Sequence, residues 1–324
     1  MIKKNISIEQ YALVIAFGLC GNFLIDALFA IKDGWRYKPC FQVRNKEVIE
    51  MFKLFLPIVY SSGVYKFSLM VDSIIASRLD TGKLTVLNYS NQVAYMVNTI
   101  FIGNLLLYCY PKIVAKIEEK GNQKVFWNQV GLFHLIVCMI IAGFVSVGHE
   151  GITVLFQHGK FGSDASNAVF IGSLIYITGQ QINIVRDLIY RYFYAKGDTK
   201  TPAGNSILVS ITNILLSIIL VRIIGFYGIA LGTVGASLLS LVVITINFKR
   251  KIGLEISLIR VIEPLVKNII VMSITVIVII LSKIYWPIDN SFLAILIYGC
   301  ETVAIFIFIS LLFNREILKT FKVL

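Results

Sequence analysis

Charge is what this sequence has least of. Asp, Glu, Lys and Arg make up 15% of its 324 residues, where a soluble domain carries about a quarter. Hydrophobic residues fill 57% of positions and the mean hydropathy is +0.81, which excludes a surface built for water. Histidine is scarce as well: His134, His149 and His158 form no H-x-x-x-H or H-E-x-x-H pattern. The five cysteines, Cys20, Cys40, Cys109, Cys138 and Cys300, show no C-x-x-C spacing and fall mostly inside apolar runs. That excludes a disulfide framework and a structural zinc site. No D-D-x-x-D motif occurs, so the acidic metal-binding pair of a polyprenyl-processing membrane enzyme is missing, and no catalytic residue is expected. The first apolar run lacks a small-residue cleavage site and reads as a span, not a secretory signal.

What charge there is leans positive, with 30 Lys and Arg against 18 Asp and Glu and a net +12. The excess sits in short loops between apolar runs, which points to membrane topology and anionic lipid headgroups and away from nucleic acid. A span needs about 20 apolar residues. Nine stretches qualify: Ile8–Ile31, Leu54–Ser77, Val86–Tyr110, Val130–Val147, Ala165–Tyr190, Pro202–Ile224, Gly225–Asn247, Ile262–Ile284 and Phe292–Phe313. They are expected to be helices, since the alternating pattern of a barrel is absent. The fold class is therefore an all-α transmembrane bundle.

Alternate loops are basic. Lys32, Arg36, Lys38, Arg44 and Lys46 fill the first, Lys112, Lys116, Lys120 and Lys124 the third, Arg191, Lys196 and Lys200 the fifth, and Lys249, Arg250, Lys251 and Arg260 the seventh. Arg315, Lys319 and Lys322 follow the last span. The basic set is assigned to the cytoplasm, which puts the C-terminus inside and the N-terminus outside, against the basic start Met1-Ile-Lys-Lys. Residues 149–164 are too short and polar to span and read as an amphipathic helix on the outer surface, ended by Gly159 and Gly162.

One segment has a specific texture. In Tyr192-Phe-Tyr-Ala-Lys-Gly-Asp-Thr-Lys-Thr-Pro202, Gly197 suits a left-handed helix end, Asp198 a turn, Thr201 an N-cap and Pro202 a first helical position. Any helix hairpin could use such residues. The full string, however, resembles the signature FYALGDTKTP of the MurJ (MviN) family of lipid II flippases. Three further stretches resemble the same family in order. The first is Leu56-Pro-Ile with Val71-Asp-Ser-Ile-Ile-Ala-Ser77 and Leu87-Asn-Tyr. The second is Val154-Leu-Phe-Gln-His-Gly-Lys-Phe161. The third is Asn213-Ile-Leu-Leu with Gly225-Phe-Tyr-Gly-Ile-Ala-Leu-Gly-Thr233.

The resemblance implies a two-lobed, fourteen-helix flippase of the MATE/MOP-like superfamily, of which the nine spans would be helices six to fourteen. Residues 1–50 would then be the last helix of an incomplete N-terminal lobe with its loop. Residues 51–248 would form the core of the C-terminal lobe, and 249–324 two additional spans and a tail. It also implies residence in the bacterial cytoplasmic membrane, a lipid-linked glycan as substrate, lipids as neighbours and a separate chain as one possible source of the missing N-terminal half.

Several polar residues lie within the spans, where an ionisable group must face a cavity or a partner. Lys66 is midway along its span. It either meets the diphosphate of a polyprenyl carrier or pairs with Glu301, near the middle of the last span. Asn88, Asn91, Gln92, Tyr95 and Asn98 share one helical face, open to two readings: interhelical hydrogen bonding or substrate contact. The resemblance implies that this face lines the cavity. Family members usually read Tyr-Ala-Asp-Arg where this chain has Tyr89-Ser90-Asn91-Gln92, so the usual anion-binding arginine is replaced by an amide.

By depth, Asp72, Ser217 and Thr233 lie about 8–12 Å inside the outer ends of their spans, with Asn213 one turn deeper. With the Ile229 carbonyl they supply hard oxygen ligands for Na⁺ or a proton, like the cation site of sodium-dependent relatives, or else they form a hydrogen-bonded polar knot. Gly228, Gly232 and Ala236 recur every fourth residue as a close-packing face. Arg186 with Asp187 is expected to pair or snorkel at the cytoplasmic rim, and Glu263 with Lys267 to pair one turn apart. Three other roles compete with the flippase: a MATE-like cation-coupled exporter, whose cavity would be rich in carboxylates, a polyprenyl-dependent enzyme, and a truncated or partner half without transport activity of its own.

Overall fold

The computed structural model describes residues 8–36, 45–109, 123–159 and 161–314. Lys38, Arg44, Lys112, Lys116, Lys120, the basic tail, Met1-Ile-Lys-Lys, Cys40 and Lys160 lie outside the described residues. The helices are α1 (Ile8–Lys32), α2 (Lys46–Ser77), α3 (Lys83–Val97, running on through a π-helical stretch, Asn98–Gly103, to Cys109), α4 (Gln123–Phe156), α5 (Ser163–Ala195), α6 (Lys200–Ile224), α7 (Tyr227–Lys251), α8 (Leu258–Tyr285) and α9 (Ser291–Phe313). All nine are long and apolar enough to cross a membrane, and no strand occurs among the described residues. The chain divides after Glu50 into two units. The first holds α1. The second, Met51–Leu324, holds most of α2 and all of α3 to α9, including the segment 249–324.

One expectation is corrected. The separate surface helix over 149–164 does not exist: α4 runs unbroken through Phe156. At 1.5 Å per residue its 34 residues reach about 51 Å, well past a bilayer core. Two of the polar residues that suggested a break find partners on other helices. His149 Nε2 meets Asn167 Oδ1 at 2.7 Å, and Lys283 Nζ donates to Glu150 Oε1 at 2.7 Å. The chain turns only at Gly159, at φ +63°.

The core of the second unit forms where α4, α5 and α7 meet. Phe126 and Trp127 of α4 pack with Tyr192 and Phe193 of α5 and Phe248 of α7, all buried; Phe126 lies 4.9 Å from Tyr192 between ring centroids. This cluster marks the basic end of the bundle. There Gln123 Nε2 donates to the Gly253 carbonyl at 3.0 Å and accepts, through Oε1, from Glu255 N at 3.0 Å. At the same end Asp198, not Thr201, caps α6: its Oδ1 accepts from Thr201 N at 2.9 Å and its Oδ2 from the Thr201 hydroxyl at 2.6 Å. Lys251 Nζ reaches Asp198 at 3.2 Å. Burial pushes the Asp198 carboxyl up, but the bonds from Thr201 and Lys251 outweigh it and hold the group below its ordinary value.

α6 and α7 form the tightest pair. A Cβ at Gly228 would collide with the Leu220 carbonyl, and one at Gly232 would lie 2.9 Å from Ser217 N, so the small-residue face is backbone against backbone. α3 approaches α5 the same way: Gly172 leaves no room for a Cβ beside Ser90, and the Ser90 hydroxyl donates to Val169 O at 3.3 Å. α8 and α9 pack on α4. The exposed pair Glu263–Lys267 forms as expected, at 2.7 Å.

Candidate functional site

α2 stands off from its neighbours, and the space it leaves is polar. A cavity of about 350 Å³ opens between α2 (Ser61, Ser62, Tyr65, Ser68), α5 (Asn183, Arg186, Tyr190), α6 (Ser206, Ser210, Asn213) and α7 (Thr233, Ser237). A second, of about 280 Å³, lies between α2, α3, α5 and α7 and is lined by Asn91, Tyr95, Asn98, Tyr176, Gln180 and Asp187 among others. Tyr65, Leu69, Asn183, Arg186, Thr233 and Ser237 line both. Hydroxyls and amides at this density inside a helical membrane protein mark a water-accessible or ligand-bearing space, because lipid would leave them unbonded.

The polar face of α3 divides on inspection. Asn88, Asn91, Gln92 and Tyr95 are all exposed, while the opposite face, with Val86, Leu87, Ser90, Val93 and Ala94, is buried. Of the four, Asn91 and Tyr95 line the cavity; Asn88 and Gln92 lie outside its lining. Asn91 Nδ2 donates to Tyr176 Oη at 3.5 Å, and Asn98 Nδ2 to Gln180 Oε1 at 2.9 Å. Asn98 also begins the π-helical stretch, a local widening that rotates the rest of α3 relative to the polar face.

Lys66 is exposed, lies outside the lining of both cavities and forms no ion pair among the described residues. The alternative pairing with Glu301 is not formed either: Glu301 Oε2 accepts from the Ser282 hydroxyl at 3.0 Å. The cation that does face the cavities is Arg186. It does not snorkel at the rim but sits nine residues inside α5, about 14 Å from the helix end. Its pairing with Asp187 is as expected, at 2.9 Å. The signal is present in the sequence: Tyr176, Gln180, Asn183, Arg186 and Tyr190 recur on one face of α5.

The proposed cation ligands converge in part. Asp72 is buried, and its Oδ2 accepts from Asn213 Nδ2 at 2.8 Å. Asp72 Oδ1, Asn213 Oδ1 and Ser217 Oγ are buried and have no hydrogen-bond partner. Thr233 donates to the carbonyl of the fully buried Ile229 at 3.2 Å, so these two are turned first to each other. The close approach of Gly232 to Ser217 brings this turn of α7 against the same stretch of α6. Three orphaned oxygens, one of them a carboxylate, fit a small hard cation or a proton.

The family model described as "Lipid II flippase MurJ" matches residues 2–299. The chain belongs to the MurJ family. Among curated relatives, the probable lipid II flippase MurJ of Vibrio cholerae is 24% identical over 238 residues, covering 72% of this chain and 45% of the relative. The chain thus spans about half the length of the curated relatives it matches. Among solved structures, a lipid II flippase MurJ in an inward closed conformation superposes with a TM-score of 0.68 at 23% identity, over 89% of this chain and 59% of the other. A multidrug resistance MATE transporter of the MOP superfamily follows at 0.52 and 15% identity, over 88% and 70%. Fold and family place the chain as a multi-pass protein of the bacterial cytoplasmic membrane.

Proposed function

We propose that this MurJ-family chain moves a lipid-linked glycan precursor, lipid II or a related polyprenyl-diphosphate sugar, across the cytoplasmic membrane by alternating access, as a transporter without a catalytic step. The observation that carries the reading is the pair of polar cavities between α2, α3 and α5 to α7, with a guanidinium facing both. A lipid-linked anion needs such a polar path for its headgroup while its chain stays in lipid. The exporter reading would call for a carboxylate-rich cavity, and the single carboxylate in the lining, Asp187, is already paired with Arg186. Asn91 and Tyr95 supply substrate contacts in this scheme. Proteoliposomes loaded with fluorescent lipid II test it: the chain should expose inner-leaflet label to an impermeant quencher, and label that stays as protected as in protein-free vesicles would refute transport by this chain.

Asp72, Asn213 and Ser217, with Ile229 and Thr233 completing the shell, would hold a coupling Na⁺ or H⁺, which supplies the charge their orphaned oxygens lack. Sodium at about a hundred times its dissociation constant should stabilise the fold by roughly 2.7 kcal/mol. That sodium-dependent melting shift should vanish in Asp72→Asn; an undiminished shift would remove Asp72 from the site.

A further inference from the structure

The side chain of Arg186 is only 17% exposed, yet its one ion-pair partner is held loosely. Arg186 Nε and Nη2 both donate to the same oxygen, Asp187 Oδ1, at 3.0 and 2.9 Å, in place of the two parallel bonds of a bidentate pair. Asp187 is 41% exposed, so the carboxylate is half in water and free to leave. No bond engages Nη1 among the described residues, and the guanidinium lies 5.6 Å from the Tyr190 ring, which steadies its plane. Three residues earlier on the same face, Asn183 lines both cavities with a buried Oδ1 that has no partner. Ser61, Ser62 and Ser206 add hydroxyls across the same space.

We infer that Arg186 is the residue that receives the diphosphate of the lipid-linked substrate in this chain, and that Asp187 sets the threshold an anion must exceed to displace it. This rests on the proposed flippase function and assigns its anion contact. Asp187 beside it neutralises the guanidinium. A singly charged phospholipid headgroup gains little over Asp187, whereas a diphosphate offers more charge and several oxygens to the planar fork. Asn183 and the serines then bond the remaining oxygens and the adjoining sugar hydroxyls.

The test uses the full chain in detergent, with undecaprenyl diphosphate as probe and affinity and melting temperature read together. Arg186→Gln should weaken binding by about tenfold or more, and Arg186→Lys by less, since charge survives without the fork. Asp187→Asn should do the opposite, tightening the diphosphate several-fold and admitting phosphatidylglycerol, which the parent chain should refuse. A purely structural pair predicts a lower melting temperature in Asp187→Asn and no gain in affinity; that result would overturn the proposal. So would an unchanged affinity in Arg186→Gln while the parent chain binds, which leaves the flippase reading intact. Absence of binding by the parent chain would take down both. Inorganic pyrophosphate competing as well as the lipid would show a site for free phosphate and overturn the assignment to a lipid headgroup.

Discussion

The two sides of the second unit set their polar residues in different surroundings. Where α8 and α9 meet α4, polar side chains close on one another. Asn268, fully buried, donates to Gly131 O at 2.8 Å and faces His134 Nδ1 at 3.2 Å, while its Oδ1 accepts from Asn314 at 2.9 Å. Further out, Thr302 donates to Ser146 at 2.7 Å, and Lys283 binds Glu150 under the Tyr298 ring. Where α2 and α3 face α5 to α7, polar side chains line open space; buried oxygens without a partner occur on both sides, at Asn183 and Asn213 here and at Glu150 and Asn314 there. The same residue types serve as glue on one side and as a site on the other. The distinguishing feature is the space beside them: close-packed helices on one side, cavities on the other.

The contrast is broken most forcefully at Asn268. Asn268→Leu strands His134 and Asn314 in the core and should lower stability by about 2–3 kcal/mol, read as a fall in melting temperature, while binding per folded molecule stays unchanged. Reduced binding by the folded fraction would mean that the two sides are coupled. Next comes the pair at the outer end. Its side chains are 27% and 20% exposed, so Lys283→Met alone should cost about 1–2 kcal/mol, with most of it restored by adding Glu150→Gln. Equal melting temperatures for the single and double variants would show that the pair is not coupled.

The smallest effect belongs to Asp198. Its folded value is depressed, so its contribution is present above the ordinary carboxylate range and is lost as pH falls through the lowered value. Asp198→Asn should cost about 0.5–1 kcal/mol near neutrality through the weakened cap. It should also flatten the acid limb of a melting-temperature profile, and an unaltered acid limb would assign that stability elsewhere.

Much of this was legible in the sequence, for reasons the structure makes concrete. Nine apolar runs became nine helices because length and hydropathy alone decide what lipid accepts. Gly228 and Gly232 announced the α6–α7 contact, since only small residues let backbones touch. Asp72 and Asn213 were matched by depth alone, and they bond across 141 residues. What depth does not encode is direction. Lys66 sits at mid-span but is exposed and outside the lining of both cavities. Arg186 lies deeper than an apolar run ending at Tyr190 implies, because α5 continues to Ala195. The end of α4 is not legible locally because the partners of His149 and Glu150, Asn167 and Lys283, come from other helices.

The central claim, that the headgroup travels on the α2–α3–α5 side and not along α8 and α9, is tested by lipid II carrying a photoreactive diazirine in its headgroup. The full chain would be irradiated in proteoliposomes and its adducts mapped by mass spectrometry. The account predicts adducts on the α3 and α5 peptides containing Tyr95 and Asn183, with little on α8 or α9. Adducts distributed equally over α8 and α9, or concentrated there, would contradict it.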